Sequence, residues 1–261
     1  MSKTLILSDI HFCGSHSKVK SAEQLRPLWD GCDAMVLNGD TTEVNSPRHS
    51  EESKQRASEL IAIATQDGVH TTYLCGNHDP VESDNDFMWF CKENVFVFHG
   101  HAAFETLAPW SWRAKFIGQV RKKYIQESGD GFQEQLESVR KASFDVVSGA
   151  FESSRPSAVF LALLGIPAAI QVLLGWKHFP SLTSHWIEQY APSAKFVIVG
   201  HTHHAGIWKR NGRVIINTGC FGFPSHPRAV VIDNDELIVY KLRLTDGHYS
   251  LGRVCSSWNV R

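Results

Sequence analysis

No charge of one sign dominates this 261-residue chain: 26 Lys and Arg stand against 27 Asp and Glu, a formal net charge of -1. No global field therefore draws in duplex nucleic acid or an anionic membrane, and such a partner would have to be met by a local patch. Cysteine is sparse, six residues in all. No two stand in a C-x-x-C spacing, which removes the structural zinc and dithiol redox motifs; small buried side chains are the expected role of Cys13, Cys32, Cys75, Cys91, Cys220 and Cys255. The N-terminal apolar stretch Thr4–Leu7 is too brief for the apolar region of a signal peptide. A reduced, cytoplasmic setting is the expectation. No internal repeat or low-complexity tract is present.

Short apolar runs predict buried strands at Thr4–Leu7, Ala34–Leu37, Thr71–Leu74, Val95–Phe98, Phe196–Val199, Val214–Asn217, Ala229–Ile232 and Leu237–Leu244. Helical patterns at Val19–Trp29 and Glu51–Gln66, the second stopped by Gly68, alternate with the first strands and indicate an α/β sheet. From Ala102 to Lys195 the texture becomes helical, amphipathic and then strongly apolar. This predicts a helical cap at 102–195 inserted into a sheet domain made of 1–101 and 196–261. Its run Ala158–Trp176 is long enough to raise the question of a membrane span. A single span there would put His99 and His201 on opposite membrane faces. Gly165 and Pro167 instead predict two short helices, packed together or lying at a membrane surface, with no transmembrane span.

Five apolar strands run into residues of metal-binding type: Asp9 with His11, Gly39-Asp40, Gly76-Asn77-His78-Asp79, His99-Gly100-His101 and Gly200-His201-Thr202-His203. In open α/β sheets the carboxyl ends of strands form the ligand crevice, so all five are expected to converge. One such cluster alone reads as a turn or a capped strand end; their joint occurrence at strand ends is what argues for a site. Residues two apart in extended backbone share a side, which lets Asp9 with His11 and His201 with His203 act as claws. The donors are imidazole, carboxylate and amide oxygen without thiolate, suiting manganese first, with iron or zinc as alternatives, in an open centre. Seven candidate ligands are too many for one ion and suit two sharing a carboxylate.

The ordered series Asp9-Ile10-His11, Gly39-Asp40, Gly76-Asn77-His78-Asp79, His99-Gly100 and Gly200-His201-Thr202-His203 resembles the calcineurin-like metallophosphoesterase family. That resemblance implies a β-sandwich of mixed sheets flanked by helices. It implies that Asp9, His11, Asp40 and His203 hold one divalent metal ion and Asp40, Asn77, His99 and His201 a second. Asp40 is then the bridge. The implied activity is hydrolysis of a phosphate ester or pyrophosphate bond by a metal-bridging hydroxide. His78 matches the position that contacts substrate and protonates the leaving oxygen. Glu43 falls where some members orient this histidine with a carboxylate; the alternative is a solvated loop glutamate.

Within the family, His99-Gly100, the helical insertion and Gly200-His201-Thr202-His203 are similar to the UDP-2,3-diacylglucosamine pyrophosphatase-like branch, whose cap binds acyl chains. This implies an amphiphilic, lipid-linked or UDP-sugar substrate and peripheral membrane contact. That branch commonly has arginine in place of His78 and aspartate in place of His101. Trp110, Trp112, Phe116, Trp176, Phe179 and Trp186 are expected either to form the cap's core or to line its pocket. The run Arg121-Lys122-Lys123 is expected to be a solvated helix face, with headgroup or phosphate contact as the alternative. Two other readings compete: a soluble nucleotide phosphodiesterase or nuclease, and a non-catalytic binding module on the same fold, which would be expected to have lost ligands.

Overall fold

The computed structural model describes residues 3–44, 48–111, 113–147, 158–222 and 226–261. Trp112, singled out in the sequence, lies outside them.

Strands β1 (Thr4–Leu7), β2 (Ala34–Asn38) and β3 (His70–Leu74) run parallel, and β9 (Arg228–Asp233), β10 (Glu236–Thr245) and β11 (His248–Asn259) continue the sheet antiparallel from β1 in the order β11-β10-β9-β1-β2-β3. A second mixed sheet has the order β4-β5-β6-β8-β7, with β4 at Phe87–Phe90, β5 at Val95–Phe98, β6 at Phe196–Val199, β7 at Gly206–Arg210 and β8 at Arg213–Asn217.

The period-2 alternation of the strands decides which layer each side chain joins. Ile6 and Val36 face inward, into a core shared with Val95, Val97, Ile198 and Ile216 of the other sheet. Leu5, Leu7, Met35 and Leu37 face outward, against α1 (Ser50–Gln66) and the segment Ala22–Trp29. On the far side Phe96, Phe98, Val197, Val199 and Ile215 are covered by Ile117, Leu136, Phe179 and Trp186. Those residues come from α2 (Ala114–Ser128), α3 (Phe132–Val147) and α4 (Ala158–Tyr190). The result is a helix–sheet–sheet–helix sandwich, the α/β architecture of mixed sheets expected from the sequence. The helices between β5 and β6 form its fourth layer.

Several details differ from the sequence reading. The helix expected over Val19–Trp29 is a 3₁₀ helix confined to Ala22–Trp29 with Pro27 inside it. Proline has no N–H to close an α-helical turn. The two short helices expected around Gly165 and Pro167 are one helix, α4, carrying Pro167 and Pro180 in its interior. A proline removes one helical hydrogen bond without ending a helix whose neighbouring turns are held by packing. Here Phe179, Trp186 and Ile187 anchor the following turns in the core. Among the described residues no helix is long and apolar enough to cross a membrane. Arg121 is not a solvated residue: it is 6% exposed and donates to the carbonyl oxygens of Phe104 and Ala102 and to Gln135 Oε1. Lys122 and Lys123 remain exposed. None of the six cysteines, all of them among the described residues, is in a disulfide; Cys32, Cys75 and Cys220 are buried, the other three half-buried.

Candidate metal centre

The five strand-end motifs meet at one edge of the two sheets, stitched by backbone hydrogen bonds. Asp9 N donates to Gly39 O (3.1 Å), His11 N to Asp40 O (2.9 Å) and Gly200 N to His99 O (2.9 Å). Five of the expected ligands have left-handed backbones, with φ of 52° at Asp9, 51° at His11, 52° at Asp40, 68° at His201 and 55° at His203. Non-glycine residues adopt this region at a cost, and its concentration at one place marks a functional constraint. Two glycines make room for side chains of other motifs. A side chain at Gly76 would overlap the Asp40 carboxylate, and one at Gly200 would overlap that of Asp9.

The carboxylate of Asp40 stands between two clusters. On one side His11 Nε2 and His203 Nε2 face each other at 2.9 Å, His203 Nε2 lies 3.4 Å from Asp9 Oδ1, and His11 Nε2 lies 3.8 Å from Asp40 Oδ2. On the other, His99 Nε2 is 3.2 Å from the same Asp40 Oδ2, and His201 completes a group of three. Asn77 Oδ1 and His99 Nε2 are buried and lack a hydrogen-bond partner. Orphaned buried acceptors are costly unless something uses them, and an oxygen and an imidazole nitrogen are donors that a divalent cation takes. The residues present therefore fit two ions.

The remaining atoms of these side chains are committed. His99 Nδ1 donates to Asn38 O at 2.9 Å, so that Nε2 is the nitrogen left to bind once the imidazole is neutral. His201 Nε2 pairs with Leu107 O at 2.7 Å, leaving Nδ1 free. Asp40 Oδ1 accepts from His78 N at 2.8 Å and Asp9 Oδ1 from His201 N at 2.9 Å. Glu43, 8% exposed, is no solvated loop residue: it meets His11 Nδ1 at 2.7 Å and His78 Nδ1 at 2.9 Å.

The electrostatics follow from this crowding. Burial alone would raise Asp40, but His99 and His78 bring it well below the usual carboxylate range. Burial is the largest effect on His99 and His78 and opposes their protonation, yet Asp40 together with Asp9 for His99, and Asp40 together with Glu43 for His78, raise each to about 9. His201, buried and repelled by His99, falls to about 3. Burial likewise opposes charge on His203, but its bond to Asp9 lifts it well above the ordinary histidine value.

Asp79, fully buried, accepts from the backbone N–H groups of Asp40 (3.0 Å), Thr41 (2.6 Å), Thr42 (3.1 Å) and Gly76 (2.7 Å), and from Tyr73 Oη (2.6 Å). It clamps the Asp40 and Asn77 loops together. His16, pushed down to about 4 by burial and then by His11 and His203, was not legible as part of the site. No spacing rule links it to the strand ends. His101 lies beside His99 and His201, 8% exposed, but outside the ligand groups.

A cavity of about 200 Å³ opens on the centre, bounded by Asp40, Asn77, His78, His201 and His203 on one side and Trp110, Val172 and Trp176 on the other. A second, about 330 Å³, adjoins it through Asn77, His78, Ala108 and Trp110 and continues along Leu107, Ile117 and Val146. The expected aromatics thus divide. Phe179 and Trp186 are core, whereas Trp110 and Trp176 reach the cavity, Trp176 being stacked on His204 with 4.6 Å between ring centroids.

A sequence profile of the calcineurin-like phosphoesterase superfamily domain matches residues 3–236. No curated protein matches the chain in sequence. Among solved structures, a dimetal phosphatase from Danio rerio is similar at 11% identity and a TM-score of 0.48, covering 91% of this chain and 95% of that one. The phosphoesterase YfcE from E. coli follows at 13% identity and 0.44, covering 99% and 100%. Vacuolar protein sorting 29 from Cryptosporidium parvum has 13% identity and 0.46, covering 99% and 98%. All three are distant likenesses.

Proposed function

The chain belongs to the calcineurin-like phosphoesterase superfamily, and from that membership we propose that it is a dinuclear-metal hydrolase of phosphate ester or pyrophosphate bonds. The observation that carries this reading is the pair of ligand clusters sharing Asp40, one with Asp9, His11 and His203, the other with His99 and His201, with Asn77 Oδ1 unpartnered beside them. In it Asp9, His11, Asp40 and His203 hold one ion, and Asp40, Asn77, His99 and His201 the other. Bound divalent ions supply Lewis acidity, lowering the pKa of water and neutralising phosphoryl charge. Oxygen and imidazole donors favour manganese, with iron or zinc able to occupy the same set.

The protein's own groups do the rest. His78, held by Glu43 through Nδ1, keeps its other nitrogen to protonate a leaving oxygen, and it borders both cavities. In the metal-free chain Asp40 and Glu43 together raise it toward 9 against the opposing effect of burial. The insertion at 102–195 supplies the apolar side of the cleft and therefore the discrimination between substrates, since metals alone recognise any phosphoryl group. An amphiphilic ester or a UDP-sugar pyrophosphate suits that wall. In support, Ile170, Leu173 and Leu174, at 51%, 58% and 42% exposure, lie on the helix whose Val172 and Trp176 face the cavity. Peripheral contact with a membrane follows from the same feature.

The test is turnover of manganese-loaded protein on monoester, diester and UDP-sugar pyrophosphate substrates, each with a series of acyl lengths. Efficiency should climb with chain length, since each buried methylene contributes roughly 0.8 kcal/mol, and Trp176→Ala should flatten the climb. No dependence on acyl length would reject the amphiphilic substrate; no turnover of any of the three would reject hydrolysis.

A further inference from the structure

The loop after β1 carries a histidine that neither ligand set uses. His16 sits with its ring centroid 4.6 Å from that of His11 and 5.3 Å from that of His203. A ring nitrogen of each of the three lies within 4.8 Å of the others. Its Nε2 is buried and has no hydrogen-bond partner.

The position is imposed by the backbone. Ser17 N donates to Gly14 O at 3.0 Å, Ser17 Oγ to Ile10 O at 2.7 Å and Lys18 N to Phe221 O at 2.9 Å, and Ser17 forms an isolated bridge with Gly222. At Gly222 any side chain would overlap the His16 carbonyl. The loop is thus pinned on both flanks of the ring. His16 does not border the cavity lined by Trp110 and Trp176, so contact with substrate there is not its role.

We propose that His16 is a further protein ligand of the ion held by Asp9, His11, Asp40 and His203, approaching it from the side of His11 and His203, the two donors its ring nitrogen is grouped with, and giving that ion a third imidazole. The inference rests on the dinuclear reading above. Nitrogen-rich coordination would make this the tighter of the two sites and bias it toward zinc, iron or cobalt over magnesium and calcium.

The experiment uses the full-length protein stripped of metal and titrated with cobalt(II) against a chromophoric chelator, as wild type, His16→Ala and His16→Gln. Visible spectra are recorded at each step, and X-ray absorption counts imidazoles on the first ion bound. Wild type should bind two ions, the first with three imidazoles. Both variants should lose one imidazole, change the cobalt absorption and weaken the tight site at least about tenfold, since loss of outer-shell partners alone costs 10–100-fold. Two imidazoles on the first ion in wild type would overturn the proposal whether or not the variants fold, and so would variants with unchanged spectrum and affinity. Either result would leave the dinuclear centre standing. A wild-type chain that binds fewer than two ions would remove that centre, and this inference with it.

Discussion

Glu43 Oε1 accepts a hydrogen bond from His11 Nδ1 at 2.7 Å, which directs the other nitrogen of that imidazole at Asp9, Asp40 and His203. The second oxygen of the same carboxylate holds His78. One acidic side chain thus orients a candidate metal ligand and a candidate acid together. Glu43→Gln, which keeps the size but cannot accept from both rings, should weaken metal binding by about 10–100-fold and lower turnover as well. Metal titration and steady-state kinetics on the same preparation check this; a loss of turnover with unaltered metal affinity would leave only the His78 contact.

Removal of His78 separates the two roles. His78→Ala should retain both ions and lose a factor of roughly 10²–10⁴ in turnover, the usual contribution of a positioned proton donor. Asp40→Ala should lose metal too. A His78→Ala protein as active as its parent across pH would remove the acid role.

The stability of the metal-free chain should peak near the ordinary histidine pKa of 6.5. His99 and His78 are raised to about 9, so what they contribute is fully present below 6.5 and lost as pH climbs toward 9. His201 and His16 are lowered, to about 3 and about 4. Their neutral forms favour the fold above 6.5, and that stability is lost as pH falls below it. Chelator-treated protein melted across pH should show the maximum. Metal must displace the proton on His99, so metal affinity should rise from pH 6.5 to 9. A flat melting profile from pH 5 to 9 would contradict these shifts.

Close approach of the motifs makes two glycines irreplaceable. Gly200→Ala places a methyl group on the Asp9 carboxylate and the Ser8 side chain. Overpacking of this kind typically costs about 1–3 kcal/mol. The variant should melt lower and fail to retain metal, whereas Gly165→Ala, with nothing near its added methyl, should do neither.

Much of this was legible because each strand announces itself twice, as an apolar run and as a polar terminus. β1, β5 and β6 coincide with the predicted runs, and the candidate ligands Asp9, His99 and His201 come within two residues of their ends. β4 was missed because Phe87–Phe90 is a run of only four residues without alternation, although the turn-forming cluster Ser83-Asp84-Asn85-Asp86 directly precedes it. β7 and β11 had a signal that went unread. Asn211-Gly212 has φ of 47° and 77°, and Asp246-Gly247 has 49° and 79°, the left-handed pairs of two-residue hairpin turns. Each dipeptide implies a partner strand. His16 and the clamping role of Asp79, itself part of a recognised motif, were opaque for another reason: His16 sits on a loop whose course depends on Gly222, and Asp79 holds backbone N–H groups of a segment 37 to 39 residues away. Local pattern encodes neither.

The most direct test is the number and place of the bound ions. Protein reconstituted with manganese, assayed by elemental analysis and located by anomalous scattering, should hold two ions per chain. They should lie about 4 Å apart on either side of the Asp40 carboxylate, with Asn77 Oδ1 and His99 Nε2 on the second. A saturated chain holding one ion, with Asn77 and His99 uncoordinated, would contradict the account.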